Sequence, residues 1–303
     1  MIEARDVTVV FKRGIRRKPL RALDGFNVTV HRGDVFGLLG PNGAGKSTAM
    51  YCFLGLIRPT QGSIRVGGLE PVPGSKSFER IAYVPEEPHY HLYLTVFEAL
   101  RYYAGLYVND IPKARLEEAI RRVGLTEFRD MRLDRCSKGM KQKLGIATCL
   151  ITQPDLVFLD EPTRGLDPVI VKEFRDIILD MNRQGATFVI NSHILSEVEM
   201  VCNRVAIMDH GRVVVQDDLR QLMKYDSDTY IVEFSGPDGL VLPEFMTATP
   251  SLHDLRRGAL PSQHLPEFMR FVETSGIKLW SCALKRQNLE EAFFKILKGG
   301  PMG

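Results

Sequence analysis

Apolar residues alternate loosely through Ile2–Val10 and close on the run Val7–Phe11, the pattern of a strand. Phe26–Val30 reads as a second strand. Asp34-Val35-Phe36-Gly37-Leu38-Leu39 is a short apolar run of the kind a buried strand carries, and it leads into a helical pattern that reaches Leu56 and stops before Pro59. The turn-rich stretch Pro59–Gly68 predicts a hairpin. Residues 90–150 are helical in period, with Leu116, Ile120 and Val123 marking one helix over Lys113–Val123. Leu156–Leu159 is another buried-strand run, followed by a helix over Pro168–Arg183 and a strand over Ala186–Ile190. Val205–Met208 and Arg212–Val215 bracket the turn Asp209-His210-Gly211 and predict a hairpin. The mixture of elements is that of an α/β protein.

The chain turns polar around Leu219–Asp228, which places a domain boundary there. Beyond it come a strand (Thr229–Phe234), a helix (Leu265–Thr274), a strand (Ile277–Leu284) and a helix (Leu289–Leu297). Phe234, Phe268, Phe271, Trp280 and Phe293 are available to form a small core, so residues 226–298 are expected to make a compact α+β accessory domain, with Gly299–Gly303 as a frayed tail. The first domain is placed at 1–220.

At 303 residues with ordinary apolar content the chain can build a sizeable core. Forty basic against 37 acidic residues leave a net charge of +3, which gives no reason to expect a nucleic-acid partner. No stretch reaches the roughly 18 apolar residues of a membrane-spanning helix. The charged start Met1-Ile2-Glu3-Ala4-Arg5-Asp6 is unlike a secretory signal, so a cytoplasmic protein is expected. Cys52, Cys136, Cys149, Cys202 and Cys282 lack metal-ligand spacing and read as reduced thiols.

The chemistry begins at Gly40-Pro41-Asn42-Gly43-Ala44-Gly45-Lys46-Ser47-Thr48, which fits Gly-x4-Gly-Lys-Ser. Gly40, Gly43 and Gly45, with Asn42 among them, let backbone N–H groups converge on phosphate oxygens, and the following helix adds its positive end. Lys46 is suited to the β- and γ-phosphates of ATP, Ser47 to Mg²⁺ and Thr48 to the α-phosphate. Asp160, ending a buried strand, is suited to hold Mg²⁺ through water, and Glu161 to orient and deprotonate the attacking water.

Three further segments complete an ordered set: Cys136-Ser137-Lys138-Gly139-Met140-Lys141-Gln142-Lys143-Leu144, Gly165-Leu166-Asp167-Pro168 and Asn191-Ser192-His193. Over roughly residues 1–220 the chain resembles the ATP-binding-cassette (ABC) nucleotide-binding subunits, most of all those serving small bacterial exporters with separate membrane proteins. The resemblance implies a P-loop ATPase core with a helical subdomain at about 88–150. It puts Ser137 and Gly139 in the signature that meets the γ-phosphate on the opposite subunit, Asp167 in a loop crossing the dimer, and His193 at the switch histidine. It departs at Lys138, where the family has glycine, and at Glu86 after Tyr83-Val84-Pro85, where the family has glutamine. Glu86 can accept from the metal's water shell, but its charge disfavours ATP unless Mg²⁺ or a lysine offsets it. Phe11 stands where an aromatic ring stacks on adenine.

The function implied is ATP hydrolysis by a dimer with two ATP molecules in its interface, driving a separate integral membrane permease, with export favoured over import. The protein would sit peripherally on the inner face of the cell membrane. Tyr90, Tyr93, Phe97, Tyr102, Tyr103 and Tyr107 would lie at the docking groove for a cytoplasmic helix of the permease. The basic loop Lys12, Arg13, Arg16, Arg17 and Lys18 reads as a solvated loop. The competing class is a soluble ABC-type ATPase working in assembly or repair. The repair branch separates its halves by a long coiled coil that is absent between Glu86 and Ser137, whereas a lone assembly ATPase differs only in having no membrane partner.

Overall fold

Val35–Leu39 has all five residues buried, and the larger sheet is arranged around it. A computed structural model describes residues 1–12, 19–72, 74, 80–223, 225–237, 240–249, 255–286 and 288–298. The basic residues 13–18 and the tail 299–303 lie outside the described residues. The chain divides into two compact units, Met1–Leu219 with Phe293–Gly303, and Arg220–Ala292.

The first unit opens with β1 (Ile2–Phe11) and β2 (Leu20–Val30), continues with β3 (Val35–Leu39), α1 (Lys46–Phe53) and β4 (Gln61–Val66), and reaches β5 at Ile81–Val84. Three helices follow, α2 (Val96–Gly105), α3 (Lys113–Arg122) and α4 (Lys138–Thr152). The alternation then resumes with β6 (Leu156–Asp160), α5 (Pro168–Arg183), β7 (Thr187–Asn191), α6 (Leu195–Val201), β8 (Arg204–Asp209) and β9 (Arg212–Asp218); the short α7 (Leu219–Leu222) starts on Leu219, where this stretch of the unit ends, and otherwise belongs to the second unit.

A three-stranded antiparallel sheet has the order β2-β1-β4, and a six-stranded sheet has the order β5-β6-β7-β3-β8-β9. In the larger sheet only β9 runs antiparallel, paired to β8 through the turn His210-Gly211, both at positive φ. Strands β3, β6 and β7 are buried at every position, which is why they read as unbroken apolar runs. Helix α4 packs against α2 and α3, and α2 is started by a capping box between Thr95 and Glu98.

Two expectations change here. Pro59–Gly68 is not a self-paired hairpin: β4 pairs with β1, and the glycines at 67 and 68 only turn the chain into a single bridge between Val66 and Leu69. The helix after the glycine loop ends at Phe53, and Leu56 beyond it is exposed.

The second unit holds β10 (Tyr225–Ser235), β11 (Thr247–Thr249), β12 (Arg256–Pro261), α8 (Leu265–Thr274) and β13 (Lys278–Arg286); α9 (Leu289–Leu297) follows. Its sheet, in the order β11-β12-β10-β13, is antiparallel. Val232, Phe234, Leu260 and Phe268 form the centre of its core, with the rings of Phe234 and Phe268 6.3 Å apart. Phe271 packs at the edge of this core. Trp280, expected inside, is 55% exposed. A register shift between Glu233 and Phe234 sets Leu279 opposite Phe234, so the core face takes Leu279 and Trp280 turns away. Its indole N–H instead donates to Ser235 Oγ at 3.1 Å, and the Lys278 ammonium lies 4.1 Å over the ring. Phe293 is buried but falls with the first unit.

Candidate functional site

The carboxyl ends of β3, β6 and β7 lie side by side in the parallel sheet, the edge at which open α/β sheets gather their ligands. From β3 the chain enters the loop Gly40–Gly45 and then α1. Gly45 has φ +101°, and a Cβ there would lie 2.4 Å from the Ala22 carbonyl oxygen. Only glycine meets both conditions. The same carbonyl would lie 2.8 Å from a Cβ on Gly211, whose N–H donates to Ala44 O at 3.0 Å. Lys46 is buried, and its ammonium donates to the carbonyls of Gly40 at 2.7 Å and Pro41 at 3.2 Å. Burial pulls the Lys46 pKa down, while the charges of Glu161 and Asp160 oppose that.

Register places Asp160, the last residue of β6, beside Asn191, the last of β7. Asn191 Nδ2 donates to Asp160 Oδ1 at 2.5 Å, and the Tyr83 hydroxyl reaches Oδ2 at 3.5 Å. Burial raises the Asp160 pKa, the neighbouring Glu161 and Glu86 add to the rise, and the Asn191 and Tyr83 hydrogen bonds resist it. Glu161 follows at φ +45°, a conformation worth about 1–3 kcal/mol of strain for a residue with a side chain. Its N–H donates to Asn191 O at 2.8 Å, which holds the backbone there. His193 Nδ1 lies 2.7 Å from Glu161 Oε2. With the carboxylate ionised, the hydrogen of that bond sits on Nδ1.

A cavity of about 830 Å³ opens on these groups. Asn42, Gly43, Gly45, Lys46, Ser47 and Thr48 line one part of it, and Asp160, Glu161, Asn191 and Glu86 another. Phe11 lines it too and is 37% exposed, unlike a core strand residue. Gly40 takes part through its carbonyl and His193 through Glu161. Ser137, Gly139 and Asp167 do not line the cavity. Ser137 is exposed and caps α4, accepting from Met140 N at 3.2 Å. Gly139 is buried against α5, where a Cβ would lie 2.9 Å from Ile170 Cδ1, a contact that the isoleucine's terminal methyl would have to yield. Asp167 caps α5, accepting from Val169 N and Ile170 N.

Sequence reasoning gave no role to Tyr83, Arg164, Asn191 or Gln142. Gln142 is fully buried in α4 and donates Nε2 to the carbonyls of Pro85 at 2.8 Å and Glu86 at 2.7 Å. Its signal is faint: a Gln one helical turn beyond Lys138 on an otherwise apolar face.

The donor set fits a magnesium ion. Asp160 is a desolvated carboxylate with no bonded cation among the described residues, and the buried Asn191 Oδ1 beside it has no hydrogen-bond partner among them. Among the described residues no group of three or more His, Cys, Asp or Glu side chains forms a metal cage. Magnesium sharing one carboxylate and a hydroxyl with phosphate oxygens needs none. A nucleotide-free test of Asp160 follows. A carboxyl whose folded pKa is raised contributes stability below its unfolded pKa of about 3.9 and loses it as pH rises through the folded value. Asp160→Asn should therefore raise the melting temperature of the nucleotide-free chain by a few degrees at neutral pH. The gap should close as pH falls toward about 4. A variant that melts lower at neutral pH would refute the desolvated-carboxylate reading.

The family model for the ABC transporter matches residues 23–164. An ABC transporter ATP-binding protein of Nostoc sp. is 36% identical over 301 residues, covering 97% of this chain and 88% of the relative. The chain belongs to the ABC transporter ATP-binding proteins. A fluoroquinolones export ATP-binding protein of Mycobacterium tuberculosis is 37% identical over 269 residues, covering 85% of this chain and 89% of the relative. The solved ATP-binding subunit of an ABC transporter superposes with a TM-score of 0.64 at 30% identity, over 73% of this chain and 91% of that one. This ABC subunit is thus an ATP-binding, ATP-hydrolysing protein with the P-loop ABC fold. Among the described residues none of its helices is long and apolar enough to cross a membrane.

Proposed function

We propose that this ABC subunit works as an ATP-dependent dimer, two copies or one copy with a homologous cassette, on the inner face of the cell membrane. There it drives a separate integral membrane permease for export. The observation that carries the hydrolytic part is the pair Asp160 and Glu161 at the end of β6, facing the cavity of the glycine loop, with His193 bonded to Glu161 from just after β7. ATP lies with its phosphates against the loop amides and Lys46, and its adenine against Phe11. Ser47, with Asp160 and Glu86 acting through water, would hold Mg²⁺, which would supply charge neutralisation to the phosphates. Glu161 orients the water with the carboxylate oxygen that His193 leaves free and takes its proton. His193 keeps that carboxylate aimed and senses the γ-phosphate. Ser137, Gly139 and Asp167, which do not line their own chain's cavity, serve the partner's ATP, so that each site is completed by the second subunit.

The export reading draws on the Mycobacterium tuberculosis relative, and the permease reading on the surface around α2. Tyr93, Tyr102 and Tyr107 are exposed, and a groove of about 190 Å³ beside them is lined by Pro85, Tyr90, Tyr103, Tyr107 and Gly145. Tyr90 and Phe97 are half-buried, the latter under Arg129 at 4.1 Å, and support the patch rather than present it. Affinity purification from detergent-solubilised membranes should recover an integral membrane protein with this chain. Tyr102→Ser with Tyr107→Ser should lose that partner while nucleotide binding persists. A chain that stays wholly in the soluble fraction would favour the assembly ATPase instead. Residues 226–298 are proposed as an accessory domain that holds the two subunits near each other between cycles.

A further inference from the structure

The cavity that receives a polyanion is lined by four carboxylates, Glu86, Glu87, Asp160 and Glu161. Its lining cations are Lys46, Arg21 and Arg164. Arg21 is already bound to Asp24 at 2.6 Å. Arg164 Nη1 lies 2.9 Å from Glu86 Oε1, and Lys138 Nζ lies 3.5 Å from the same oxygen. One carboxylate oxygen thus gathers two cations from two other segments, the first turn of α4 and the turn after β6. The backbone beneath it is fixed as well, because Gln142, one helical turn after Lys138, clamps the carbonyls of Pro85 and Glu86.

We propose that Lys138 and Arg164 are positioning residues that neutralise and anchor Glu86, and that this is what allows a carboxylate to stand beside the triphosphate. The Glu86 and Lys138 side chains are about one-third exposed and that of Arg164 more than half, so the cluster adds little to folding stability. Its effect falls on the cavity. Without the two cations an uncompensated charge faces the nucleotide, and at these distances the repulsion is only partly screened. Lys138 acts here within its own chain. It arrives on Glu86 through the same helix that carries Ser137 and Gly139, so the two departures at 86 and 138 form one charge pair.

This inference rests on the ATP-site reading, and the test separates the two. Binding of a fluorescent ATP analogue is titrated with EDTA and again with Mg²⁺, for the wild type, Lys138→Gln/Arg164→Gln, Glu86→Gln and the triple variant. In EDTA at low salt the double variant should bind roughly 5- to 20-fold more weakly than the wild type. The triple variant, which also loses two positive charges, should fall below Glu86→Gln, but by several-fold less than the double variant falls below the wild type, because it has no freed carboxylate to turn toward the nucleotide. Mg²⁺, or about 1 M salt, where the Debye length is roughly 3 Å, should shrink the loss. An equal loss in the Glu86→Gln background would mean that the cations touch phosphate directly, and it overturns the proposal. So does an unchanged affinity of the double variant. A wild type that binds no nucleotide at all would instead overturn the ATP site itself.

Discussion

Glu161→Gln should retain ATP and lose roughly 10²- to 10⁴-fold in hydrolysis, the usual worth of a general base. The amide keeps the shape of the carboxylate and can still meet His193 Nδ1, now 2.7 Å from Oε2, but it cannot take a proton from water. ATP that stays bound should also hold the dimer closed, so size-exclusion chromatography with Mg-ATP should show a stable dimer for the variant and a transient one for the wild type. Hydrolysis at the wild-type rate would remove Glu161 from the mechanism.

Mixing two inactive chains should restore activity. Lys46→Ala removes a buried ammonium from its own cavity, and Ser137→Arg puts a bulky cation on the exposed cap of α4, proposed above to serve the partner's ATP. In the mixed dimer one site carries both lesions and the other carries neither. A statistical mixture should therefore recover up to about a quarter to a half of wild-type ATPase, with each homodimer near background. No gain over either variant alone would show that the sites are not shared between chains.

The parts of the site written in consecutive residues were legible in the sequence, and the parts supplied by neighbouring strands were not. Gly40–Thr48 announces itself because its glycines, lysine and hydroxyls act through one loop and one helix end. Asn191 meets Asp160 only through the parallel register of β6 and β7, and no spacing in the sequence encodes that register. Glu86 was legible as a misfit, a carboxylate where the resemblance implies an amide. Its compensation by Lys138 and Arg164 depends on the packing of α4 and on a turn after β6. Among the strands, β5, β11 and β12 went unread. The first and second are only four and three residues long, and β12 hides its two buried positions, Gly258 and Leu260, behind paired arginines. Trp280 was misassigned because a single register shift decides which side of β13 faces the core.

The meeting of Ala22, Gly45 and Gly211 is made of backbone alone. Such a contact behaves like the keystone of an arch: it fixes the curvature of the phosphate loop by shape, with no side chain to be recognised. Chain inserted between the three points leaves their meeting intact. The curvature of the loop is therefore set by three points far apart in sequence, and the helices between β5 and β6 take no part in it.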